Sequence, residues 1–134
     1  MVNYLAVLVA GLAAMILGAF WYSPVIFGKA WMKLSGMKMP SKKPDKKMMT
    51  KSYILGLLSQ LVKAYVLAYM MELLGLVTIN GGLMTAFLAW LGFIATISLG
   101  SVLWEGKSWG LWFLNNTYNL VALLLMGLIL GAWI

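Results

Sequence analysis

Apolar residues run almost unbroken over four stretches of this chain, at about residues 3 to 22, 52 to 75, 82 to 103 and 109 to 133, with charged positions gathered between them. An apolar helix needs roughly 20 residues to cross the hydrocarbon core of a bilayer. Each stretch therefore predicts one membrane-spanning helix, and together they predict an all-α integral membrane four-helix bundle, a single transmembrane domain over residues 1–134. The first span has no basic leader and no small-residue cleavage pattern, so it is expected to stay attached rather than to act as a signal peptide.

The pattern changes after the first span, in "FWYSPVIFGKAW". Trp21 and Tyr22 close the span with rings that favour a membrane interface. Ser23 can cap a new helix with Pro24 in its first position. From there Phe27, Ala30, Trp31 and Leu34 recur at helical spacing while Lys29 and Lys33 sit four apart, which predicts an amphipathic helix over 24–35 lying in the headgroup layer. Trp21, Tyr22, Pro24, Phe27, Lys29 and Trp31 are its expected interfacial anchors. A basic loop over 37–51 follows, with two prolines and no apolar period.

Composition agrees with lipid as the solvent: 63% of the residues are hydrophobic and the mean hydropathy is +0.94. Charge adds direction. All ten basic residues are lysines, eight of them between Lys29 and Lys51, against the acids Asp45, Glu72 and Glu105. The turn between the second and third spans carries no charge, so the positive-inside rule places the basic loop in the cytoplasm of a multi-pass plasma-membrane protein with both termini outside. The net charge of +7 then points to anionic lipid at that loop rather than to nucleic acid. His, Cys and Arg are absent. That excludes an imidazole base, a thiolate, a disulfide and a zinc site with N or S ligands within one chain, and no catalytic residue, metal site or cofactor is predicted.

Polar residues inside the spans are the candidates for function, because lipid makes them costly. Lys63 lies near the middle of the second span, with Gly56, Ser59 and Gln60 on its side of the helix and Tyr65, Tyr69 and Glu72 on the other. The fourth span carries "NNTYN", where Asn119 matches the depth of Lys63 and Asn115 lies one turn away on the same face. Lys63, Gln60, Asn115 and Asn119 thus form a candidate polar binding site between the second and fourth spans, with a hydrogen bond from Lys63 to one of the asparagines as the expected pairing. The competing reading is interhelical glue.

Small residues repeat every four positions at Ala10, Ala14 and Gly18, and again at Gly127 and Gly131. Such stripes let backbones approach closely, within the chain or, for the Gly127 face, against another subunit of a homo-oligomer. Gly28-Lys29-Ala30-Trp31 is echoed by Gly106-Lys107-Ser108-Trp109, which would fit a 2+2 parallel repeat. The frequency of Gly, Lys and Trp at interfacial helix ends would also produce it.

The segments "GAFWYSPVIFGKAW", "AWLGF", "WEGKSWGLW", "NNTYNL" and "LMGLILGAW" resemble the family catalogued as domain of unknown function 1761, small integral membrane proteins of prokaryotes. The resemblance spans nearly the whole chain and implies a four-helix membrane protein without an assigned reaction. Two functions stay open: binding or transport of a small molecule, ion or lipid at the polar site, or a structural or accessory role in which a partner or lipid docks on the basic loop. An intramembrane enzyme would have to work with Lys63, Glu72 or Glu105 and no His or Cys. The orientation is directly testable. Because the chain has no cysteine, Ser41→Cys introduces a single reporter. It is expected to resist an impermeant maleimide in intact cells and to react after permeabilisation, whereas labelling from outside would reverse the topology.

Overall fold

A computed structural model describes residues 2–23, 26–35 and 46–133. Pro24 of the expected interfacial anchor and residues 36–45 of the expected basic loop lie outside the described residues. The described residues are helical, with no strand among them: α1 (Tyr4–Trp21), α2 (Gly28–Ser35), α3 (Lys46–Leu74), α4 (Ile79–Ala89), a π-helical turn (Trp90–Ala95) continuing into α5 (Thr96–Leu103), and α6 (Trp109–Ala132). Among the described residues, four helices are long and apolar enough to cross a membrane, at Tyr4–Trp21, Met49–Leu74, Ile79–Leu103 and Trp109–Ala132.

The helix starts follow from their polar side chains. Asn3, Thr78 and Ser108 accept hydrogen bonds from the backbone N–H groups of Ala6, Gly81 and Leu111, each satisfying one donor that an α-helix leaves open at its N-terminus. The third span changes its winding partway along, at Trp90–Ala95. Thr96 and Ser98 donate their hydroxyls to the carbonyls of Gly92 and Ile94, both at 2.7 Å. Such back-bonding competes with the helical ladder and coincides with the widened π turn.

The bundle is organised around α6. One side of α6 packs along α4, α1 lies against both α6 and α3, and α3 touches α4 and α6 only lightly. On α3 the residues turned inward are Gln60, Ala64, Leu67, Ala68 and Met71, the spacing of a single helical face. Glycines bring α4 and α6 together. A Cβ on Gly127 would run into the Gly82 carbonyl, and one on Gly131 into the Thr78 carbonyl. The Gly127 stripe is therefore used within the chain, not against a second subunit.

Two further expectations change. Ser23 does not cap the amphipathic helix that follows the first span: its hydroxyl turns back to the Phe20 carbonyl at 2.7 Å, and that helix is α2 over Gly28–Ser35, with residues 24–25 outside the described residues. The two Gly-Lys-x-Trp tetrapeptides adopt different structures, since Gly28 opens a helix whereas Gly106 is a left-handed turn residue (φ +71°) two positions before the cap of α6. The echo in sequence is not repeated in local structure. The glycine packing predicts opposite outcomes for one chemical change. Gly127→Ala should lower stability by about 1 to 3 kcal/mol through overpacking against backbone, whereas Gly92→Ala, with no atom within 4 Å of the added carbon, should be neutral or stabilising by up to about 1 kcal/mol. Thermal midpoints of both variants in one detergent measure the difference.

Candidate functional site

The lysine-rich end of the bundle gathers the polar side chains. Tyr118, on the α1 side of α6, donates its hydroxyl to the Ala14 carbonyl at 2.8 Å, and the Gln60 amide of α3 donates to the Tyr118 oxygen at 3.4 Å. Gly18 makes this approach feasible, since a Cβ there would lie 2.7 Å from the Tyr118 hydroxyl. One turn along α6, Asn115 accepts from the Tyr22 hydroxyl at 2.7 Å. The Tyr22 and Tyr118 rings meet edge to face at 5.4 Å, and Trp21 leans on both Tyr118 and Phe27, at 6.1 and 4.7 Å. Trp31 of α2 completes the wall against Tyr22 at 6.2 Å. Trp21, Tyr22, Phe27 and Trp31 thus turn toward the bundle and each other, while Lys29 and Lys33 are exposed.

A groove of about 540 Å³ opens beside this cluster, lined by Met15, Ile16, Gly18 and Ala19 of α1 together with Tyr22, Tyr53 and Tyr118. Gln60 sits next to the groove wall through its bond to Tyr118 and is only 9% exposed. Its Oε1 is buried and has no hydrogen-bond partner among the described residues, as do the indole nitrogens of Trp21 and Trp112. Such atoms are uncommon because each forfeits a hydrogen bond it would have had in water.

Of the four residues expected to form the site, Gln60 is buried and Lys63, Asn115 and Asn119 are partly buried. The expected pairing is absent: among the described residues no hydrogen bond joins Lys63 to either asparagine, and Asn115 is taken by Tyr22. The reason is architectural, because α1 packs against both α3 and α6 and holds them to a light contact. Among the described residues, no three His, Cys, Asp or Glu side chains come together to hold a metal ion.

Asn116 and Tyr118, of the same segment, make polar contacts that the expected pairing did not include. Asn116, 3% exposed, donates its amide to the Trp112 carbonyl at 2.9 Å and presents Oδ1 2.8 Å from the Ser98 hydroxyl, whose single proton it shares with the Ile94 carbonyl, while its own carbonyl accepts from the Trp90 indole at 2.9 Å. It ties α6 to the π turn and α5. One signal in the sequence marks it. Asn116 and Gly127 are eleven residues apart, about three turns, so Asn116 shares the close-packed face of Gly127.

No curated relative and no solved structure matches the chain. A family model matches residues 5–131, nearly the whole length, and the chain belongs to that family, described as Protein of unknown function (DUF1761).

Proposed function

We propose that this protein is a membrane-resident binding or transport protein for a small polar molecule or ion, taken up at the α3 and α6 faces that carry Gln60, Lys63, Asn115 and Asn119. Its lysine-rich end faces the cytoplasm and both termini face outward, in keeping with the positive-inside rule. One observation carries the reading: Gln60, a carboxamide buried in a bundle whose solvent is lipid, with an acceptor left open.

As glue, Gln60 is a poor choice. At 3.4 Å its bond to Tyr118 is long, and the Tyr118 proton is already committed to Ala14. Burying the amide for that bond alone costs more than it returns, since an unsatisfied polar group costs about 1 to 3 kcal/mol and an interhelical bond in lipid returns about 0.6. A ligand that donates a hydrogen bond to Oε1 supplies the missing partner. Lys63, one turn further along α3, adds a positive charge at mid-span, where a lysine costs about 2.5 to 3.5 kcal/mol. An anionic or hydroxyl-bearing molecule suits this pair.

The proposal predicts that polarity here is kept at the expense of stability. Gln60→Leu and Lys63→Met should each leave the thermal midpoint of the detergent-purified protein unchanged or raise it, by up to about 3 kcal/mol of stability. If both variants are clearly less stable than the wild type, these residues are glue and the protein is a scaffold.

A further inference from the structure

One side of α3 carries charge at its start and an apolar trough beyond it. Lys47, Thr50 and Lys51 line an open cavity of about 480 Å³ together with Ile54 and Leu55, and among the described residues no acid lines it. Further along the same helix, Leu58, Leu61, Val62 and Tyr65 form one wall of a second cavity of about 370 Å³, whose other wall is Tyr4, Val7 and Leu8 of α1. The two share a direction. Lys47, Lys51, Ile54, Leu58, Val62 and Tyr65 follow one another at intervals of three or four residues, the spacing of a single helical face. It is not the face of Gln60, Ala64 and Met71, which is buried in the bundle.

Depth in the membrane separates the two halves. The span on α3 begins at Met49, so Lys47 lies before it and Lys51 in its first turn, from where a lysine side chain reaches back to the headgroup layer. Ile54, Leu58 and Val62 lie within the span, each more than half exposed. Lys51 and Val62 are eleven residues apart, about 16 Å along the axis, which matches the roughly 15 Å of hydrocarbon in one leaflet. An acidic protein segment arriving from water meets the lysines and leaves the trough below them unfilled, and a neutral lipid fills the trough and leaves the lysines unanswered. A molecule that is anionic at one end and apolar for the depth of one leaflet matches both.

We propose that this face of α3 seats one anionic phospholipid, its phosphate at Lys47, Thr50 and Lys51 and an acyl chain lying along Ile54, Leu58 and Val62 toward the α1 wall. The seat differs from diffuse attraction of the basic loop to a charged surface, because it requires the trough as well as the charge. It does not rest on the reading of Gln60, and either can fail alone.

Native mass spectrometry of the full chain, delipidated and reloaded from nanodiscs of mixed phosphatidylglycerol and phosphatidylcholine, tests it. The wild type should retain a single phosphatidylglycerol in preference to phosphatidylcholine by at least about fivefold, the factor expected from one lysine near an anionic headgroup. Lys51→Gln should lower that preference by about the same factor, whereas Lys33→Gln, which removes an exposed charge of α2 outside the trough, should leave it unchanged. Leu58→Trp fills the trough from an exposed position without touching a charge, and should also lower retention of phosphatidylglycerol. Equal retention of the two lipids by the wild type would overturn the proposal whatever the variants do, and equal losses in Lys51→Gln and Lys33→Gln would reduce it to surface attraction. Undiminished retention by folded Leu58→Trp would place the ligand on the charges alone, as an acidic protein segment would sit, and would overturn it too.

Discussion

The hydroxyl of Tyr118 on the Ala14 carbonyl is the contact on which the polar half of this bundle depends. Between helices in lipid the hydrophobic effect gives little drive, so association rests on close packing and interhelical hydrogen bonds. α1 meets both requirements. Ala10 and Ala14 are fully buried and Gly18 leaves room for the tyrosine oxygen, so the α6 hydroxyl reaches a carbonyl that still has a free lone pair. Because Tyr118 is held there, its oxygen becomes the acceptor for Gln60 and its ring the edge on which Tyr22 and Trp21 pack.

The same helix divides its work along its length. Toward the chain termini, Gly127 and Gly131 press against the α4 backbone at Gly82 and Thr78 in a close contact of small residues. Toward the lysine-rich end the packing turns aromatic and polar, with Asn115 and Asn116 facing different neighbours and, among the described residues, three buried polar atoms without hydrogen-bond partners.

Much of the architecture was legible in the hydropathy alone. Long apolar runs have one solution in lipid, because every backbone polar group must be satisfied within its own helix, and "FWYSPVIFGKAW" with "NNTYNL" was distinctive enough to indicate the family. The arrangement of the helices was not legible. A wheel drawn on α3 and α6 makes Lys63 and Asn119 look like partners, but α1 packs against both helices, which no single-helix pattern encodes. The GxxxG stripe told that Gly127 would touch a backbone but not whose. Asn116 reads in sequence as one of three asparagines in "NNTYN", and only its place on the Gly127 face sets it apart. The π turn coincides with back-bonding by the Thr96 and Ser98 hydroxyls, which read in sequence as ordinary helix residues.

Tyr118 holds the polar half of the bundle together, and under the proposed function Gln60, though bonded to it, is kept for a ligand. A double-mutant cycle of Tyr118→Phe and Gln60→Leu, read by equilibrium unfolding in mixed micelles, tests it most directly. The account predicts that Tyr118→Phe destabilises by about 0.6 to 1.5 kcal/mol, the net worth of its bond to Ala14, with a coupling energy to Gln60 within about 0.5 kcal/mol of zero. A coupling of about 1 kcal/mol or more would make the two residues a single structural unit and contradict it.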